Sequence, residues 1–149
     1  MEFIIKVKID DEKHVDVDVK MIEEEETEPV SMYGRWFDKE CFPAWKNDPT
    51  LNLLILKAAE RHFNELLVSR GHVYLNEVYD MLKMHGAEIV DGVGWFKDET
   101  STTRDNWIDF DIYAQRNYDF LNGYENRILL DFNVDGYIAD LVENKEKGL

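Results

Sequence analysis

The chain has 149 residues, of which 32 are acidic and 17 are lysine or arginine, a formal charge of −15. That balance excludes a nucleic-acid binder working through clustered cations, because phosphate contacts need Lys and Arg. At 44% hydrophobic and 13% aromatic the chain is too apolar for a disordered acidic tail, and no apolar run approaches the ~20 residues of a membrane-spanning helix.

A chain of this length predicts one domain with a core of its own. The opening MEFIIKVKIDDEKH has an acid at position 2 and alternates thereafter, which is not the pattern of a signal peptide. The single cysteine, Cys41, excludes an internal disulfide, suits a reducing cytosol and reads as a partly buried structural thiol.

Residues 3–9 and 15–21 alternate as half-buried strands do. Phe3, Ile5, Val7 and Ile9 share one face of the first, and Val15, Val17, Val19 and Met21 one face of the second. The faces coincide in the hairpin register that sets Ile9 opposite Val15, Val7 opposite Val17 and Ile5 opposite Val19. The same register sets Lys8 against Asp16 and Lys6 against Asp18, pairs that contribute about 0.2–1 kcal/mol each. The acidic run Glu23, Glu24, Glu25, Glu26 and Glu28 follows, then an aromatic stretch with Tyr33, Trp36, Phe37, Phe42 and Trp45. Gly34 and Pro43 interrupt it, so residues 22–48 are expected to form an irregular connection with short helical turns.

Leu51, Leu54, Ile55, Ala58, His62, Phe63, Leu66 and Leu67 recur at helical spacing and predict a helix over 50–70. Asp48-Pro49 supplies its start and Gly71 its stop. An extended piece at 73–75 leads to Asn76 as N-cap of a second helix, with Glu77 and Asp80 favouring its dipole. That helix is expected to run to about His85 and stop at Gly86. Residues 86–106 read as loop. The run WIDFDIY at 107–113 reads as a strand with Ile108, Phe110 and Ile112 inward. Asn122-Gly123 marks a tight turn, residues 127–133 another strand, and Asp135-Gly136 a further turn. The tail after Asn144 is polar and expected to fray. The prediction is an α+β fold: N-terminal β-hairpin, two central helices and a C-terminal antiparallel sheet.

The ordered pieces GHVYLNEVYDML, VGW at 93–95, IDFDI at 108–112 and FLNGYENRILLDFNVDGYI at 120–138 resemble a family of uncharacterised proteins encoded by phages and mobile elements of Gram-positive bacteria. The resemblance covers a little under half the chain and leaves residues 1–49 poorly matched. It implies a phage or mobile-element origin and a place in the cytoplasm of a host bacterial cell. It brings no catalytic residues.

Four groups of residues bear on chemistry. Asp131, Asn133 and Asp135, followed by Gly136, match the opening of a calcium loop, which then needs a bidentate carboxylate at its twelfth position. Val142 stands there, so a strand running into a turn is the better account. Asp109 and Asp111 share the outer face of one expected strand, and Asp131 joins them if the strand at 127–133 is its neighbour. Such clusters can hold Mg²⁺ for phosphoryl chemistry, but solvated aspartates are the better account. His14, His62, His72 and His85 have no zinc-ligand spacing, and His62 reads as a core or boundary residue. The aromatic stretch either caps the core or anchors a partner, as Trp and Tyr do at interface hot spots.

Residues 1–28 hold 11 acids and four lysines, a net −7. Carboxylates two apart on a strand repeat about every 6.7 Å, so a DNA-mimicking surface is compatible with them, as is a merely solubilising one. The leading expectation is a non-enzymatic phage or mobile-element protein without cofactor. It binds a host protein with a basic nucleic-acid-binding surface, as an inhibitor of a CRISPR or restriction enzyme does. Glu23, Glu24, Glu25, Glu26, Glu28, Tyr33 and Trp36 are the expected contact residues. The alternatives are an assembly accessory that self-associates through a hairpin edge, and a metal-dependent enzyme built on Asp109, Asp111 and Asp131.

Overall fold

The structure is a computed structural model describing residues 2–9, 15–22, 30–40, 45–84 and 90–148, the first two stretches as strand backbone only. Strands β1 (Glu2–Ile9) and β2 (Val15–Ile22) form an antiparallel ribbon. Ile9 pairs with Val15, Val7 with Val17, Ile5 with Val19, Lys8 with Asp16 and Lys6 with Asp18. This is the register demanded by two period-2 patterns meeting on one face, since a one-residue slip reverses every side chain.

Part of the stretch expected as irregular is a strand. Residues Arg35–Phe37 (β3) pair antiparallel with Ile128–Leu130 (β6), with Trp36 opposite Leu129 and Phe37 opposite Ile128. Phe37, Ile128 and Leu130 are completely buried. Three residues are too few to show a period, and their partner lies far along the chain.

Helix α1 (Pro49–Arg70) has the ends that its sequence dictates. The Asp48 carboxylate accepts the Thr50 N–H at 2.9 Å, and Gly71, at φ 90°, donates its N–H to the Leu67 carbonyl at 2.9 Å. The buried row is Asn52, Leu56, Ala59, Phe63 and Leu67. It is rotated from the expected stripe: Leu51 and Leu54 are exposed, and His62 lies at the surface instead of in the core. Apolar residues flank this helix on both sides, so spacing alone leaves the stripe broad. The elements packed against it decide which row is buried.

Strand β4 (His72–Tyr74) runs directly into helix α2 (Leu75–Met81). Tyr74, not Asn76, stands at the N-terminus, because the Glu77 carboxylate reaches back to the Tyr74 N–H at 2.8 Å. Asn76 instead donates to Asp91 at 2.7 Å. The helix stops at Met81, short of His85: Lys83 takes φ 57° and the Met84 N–H folds back onto the Tyr79 carbonyl at 2.8 Å.

Strand β5 (Val93–Phe96), in the stretch expected as loop, is the centre of an antiparallel sheet β4-β5-β7, where β7 is Gly136–Tyr137. The expected turn at Asp135-Gly136 thus leads straight into a strand. Residues 107–113 bury Ile108, Phe110 and Ile112 as their alternation predicts. They form no strand, however: the Phe110 and Asp109 carbonyls accept the Asp131 and Asn133 N–H groups at 3.2 and 3.4 Å, but side chains take the N–H groups of residues 108–110. The Ile108 N–H donates to Asn64 Oδ1 at 2.8 Å, the Phe110 N–H to Glu60 at 2.9 Å and the Asp109 N–H to Asn133 Oδ1 at 2.8 Å.

A 3₁₀ turn (Gln115–Asn117) leads into α3 (Tyr118–Leu121), which Gly123 closes at φ 82°. The chain ahead of the polar tail, for which no helix was expected, forms α4 (Ala139–Glu146), which buries Val142 and carries a Lys147–Glu143 ion pair at 2.7 Å. The result is an α+β fold whose core gathers α1, α2, the β3–β6 pair, the three-stranded sheet and the 108–112 segment. Among the described residues no helix is long and apolar enough to cross a membrane.

Candidate functional site

The conditional expectation for the aspartates is met in space. Asp109, Asp111, Asp131, Phe132 and Asn133 line one pocket of about 180 Å³, because the Asp131 N–H donates to the Phe110 carbonyl at 3.2 Å and draws the two segments side by side. Each carboxylate already receives donors from the chain. Asp131 accepts the Ser31 N–H at 2.8 Å and the Ser31 hydroxyl. Asp111 pairs with the Arg116 guanidinium at 2.8 Å, and Asp109 accepts the Asp111 N–H at 2.8 Å. Asp111 itself adopts φ 57°, an uncommon conformation for a non-glycine residue, and these two bonds help to hold it.

The three calcium-loop positions diverge, one to Ser31 ahead of β3 and two to neighbouring residues of β5. Asp131 holds Ser31, Asn133 accepts the Trp95 indole N–H at 2.9 Å, and Asp135 accepts the Phe96 N–H at 2.8 Å. Burial pushes the Asp135 carboxyl up, against the Phe96 hydrogen bond and the Arg104 charge, which favour its ionised form. Among the described residues no group of three His, Cys, Asp or Glu is disposed to hold a metal ion. The arrangement ties extended segments to strands.

Glu60 shows the same use of an acid. It is half-buried, and its carboxylate caps the Phe110 N–H at 2.9 Å. Burial raises its pKa, the Phe110 bond opposes that, and Asp109 adds to the rise while Lys57 lowers it. A carboxyl whose folded pKa lies above its unfolded value of 4.5 stabilises the fold most in its protonated form. That share is present below the unfolded value and lost as pH rises through the folded one. Glu60→Gln keeps an oxygen for the Phe110 N–H and removes the charge. Relative to wild type, the variant should therefore gain stability as pH rises from the unfolded value of 4.5 through the folded one. Denaturant titrations across that range check it, and a pH-independent difference would contradict it.

Of the expected contact residues, Tyr33 and Trp36 lie in the described chain, while Glu23, Glu24, Glu25, Glu26 and Glu28 lie outside it, as do Cys41 and Phe42. Tyr33 packs against the core and its carbonyl accepts the Tyr79 hydroxyl at 2.6 Å. Burial pushes the Tyr79 phenol up to about 12, with the Arg35 charge acting against it. Trp36 faces outward, 43% exposed, with the Arg127 guanidinium 4.1 Å from its ring centre. Trp45 meets buried Phe37 edge-on at 5.1 Å. The aromatic stretch thus divides: Phe37 and Tyr33 serve the core and Trp36 the surface. Arg127, which stacks on Trp36, and Glu125, which pairs with Arg127, had no local signal in the sequence. The β3–β6 pairing brings them there.

Compared with known families, residues 2–142 match the model of a family of unknown function (DUF6353). The chain belongs to this family. The match begins in β1 and ends in α4, so it takes in the N-terminal ribbon and acidic run as well as the segments that carried the resemblance. No curated protein and no solved structure matches the chain.

Proposed function

We propose that the protein is a phage or mobile-element product that acts in the host bacterial cytoplasm by binding a host protein with a basic nucleic-acid-binding surface, without chemistry of its own. In its most concrete form it inhibits a CRISPR or restriction enzyme by occupying the channel meant for nucleic acid. The observation that carries this reading is where the charge lies. Residues 1–28 hold a net −7 of the total −15. By contrast, the clustered carboxylates Asp109, Asp111, Asp131 and Asp135 are engaged by donors of the chain itself. A concentrated field of one sign steers a partner of the other.

The test is capture from host lysate by the wild type beside a variant with Glu23, Glu24, Glu25 and Glu26 all changed to Gln. The wild type should retain a nucleic-acid-cleaving enzyme and suppress its DNA binding, and the variant should do neither. Equal capture by both would move the interface off the acidic run. Unchanged cleavage in the presence of the wild type would remove the inhibitor reading.

A second reading has one observation of its own. Among the described residues β1 and β2 pair only with each other, and a two-stranded ribbon is marginally stable alone. Its outer edges suit strand addition by another copy, as in an assembly accessory. A stable homo-oligomer that captures no host protein would favour it.

A further inference from the structure

Asn52 is completely buried on an otherwise apolar helix face. Its amide accepts the Lys46 N–H at 3.0 Å and donates to the Lys46 carbonyl at 2.7 Å and to Asn126 Oδ1 at 2.9 Å. Asn126 donates to the same carbonyl at 2.9 Å. A buried amide is costly unless its groups are satisfied. This one is fully used, and it clamps the chain before α1 to the chain before β6.

The clamp shapes a groove. Asp38, Glu40, Trp45, Glu125 and Arg127 are among the residues on its walls, and its volume is about 310 Å³. At the rim Arg127 stacks on exposed Trp36 at 4.1 Å and pairs with Glu125 at 2.6 Å. The groove therefore already displays one guanidinium held between an indole face and a carboxylate. The carboxylates on its walls outnumber the cations Lys39 and Arg127, and Glu125 already neutralises Arg127.

We propose that this groove receives an arginine side chain from a loop of the basic partner, stacked on Trp45 and paired with Glu40. The proposal rests on the reading that the partner is basic. Arginine is preferred to lysine because a planar guanidinium stacks on an indole and forks onto a carboxylate at once, whereas an ammonium is a strongly hydrated point charge.

The test uses the full chain with its four tryptophans labelled at the indole nitrogen, and Trp45→Phe to assign one signal. The probes are the capped peptide Arg-Gly-Arg-Gly-Arg and its lysine counterpart. The arginine peptide should shift the Trp45 and Trp36 signals saturably and the lysine peptide more weakly, and Glu40→Gln should weaken the arginine peptide about fivefold. Shifts that never saturate, that spread equally over all four indoles, or that are unchanged in Glu40→Gln would overturn the assignment. Glu40 is an exposed acid in a turn, so its substitution leaves the fold in place. If Trp45 is silent while the wild type still captures and inhibits a nucleic-acid enzyme, the groove assignment falls and the charge reading stands. Saturable binding at Trp45 with no enzyme captured would uphold the groove and remove the proposed target.

Discussion

Gly94→Ala should destabilise the protein by about 3 kcal/mol or more, at the upper end of overpacking effects. Gly94 sits at the centre of the three-stranded sheet, paired with Tyr74 of β4 on one side and Gly136 of β7 on the other. A Cβ there would lie 2.1 Å from the Val73 carbonyl oxygen and 2.8 Å from the Tyr74 Cα. Both obstacles are backbone, so no rotamer change relieves them, and β5 must move away from β4. That movement would disturb Trp95 and Val73, paired neighbours that are both buried. Equilibrium denaturation measures the loss directly. A variant within about 0.5 kcal/mol of wild type, the range of ordinary surface substitutions, would mean that β4 and β5 do not approach in this way.

Asn133→Ala should cost about 2–5 kcal/mol, because it orphans donors that have no water to turn to. Asn133 Oδ1 accepts both the indole N–H of buried Trp95 at 2.9 Å and the Asp109 N–H at 2.8 Å. Its amide nitrogen donates to Asp105 and to the Trp107 carbonyl, each at 3.0 Å. One side chain thus joins β5 to the 105–109 segment. Asn133→Ala and Trp95→Phe made together should cost less than the two single changes added, since the indole donor is then absent instead of unsatisfied. Strict additivity in that double-mutant cycle would show that the indole bond contributes nothing.

Some elements were legible because their cause is local. The ribbon register follows from two period-2 patterns that share one face in a single alignment. The ends of α1 follow from Asp48, Pro49 and Gly71, each acting within four residues of its own position. Burial of Ile108, Phe110 and Ile112 follows from alternation, whatever the backbone pairs with. The strands β3, β5 and β7 were hidden because each has four residues or fewer and owes its extended form to a partner distant in the chain. His62 and the stripe on α1 were misplaced because the helix has more apolar positions than one face can bury.

The same division runs through the candidate site. The proximity of Asp131 to Asp109 and Asp111 was foreseeable as a condition, but the donors that engage them were not. Ser31 lies 100 residues from Asp131, Arg116 reaches Asp111 from the following 3₁₀ turn, and a side-chain hydrogen bond leaves no periodic trace. The groove beside Trp36 had no signal at all, since it depends on Asn52 and Asn126 meeting across the β3–β6 end of the fold.

By itself, then, the sequence determined the charge and its concentration in the first 28 residues, the hairpin register, the capped main helix and the inward row of Ile108, Phe110 and Ile112. Composition and short-range periodicity act between residues that are neighbours along the chain. Tertiary structure alone decided which row of α1 is buried, which short segments become strands, and which polar side chains serve as hydrogen-bond partners for extended backbone. Those outcomes depend on contacts between residues far apart in sequence. They are settled only when burial leaves each N–H group to find an acceptor without water.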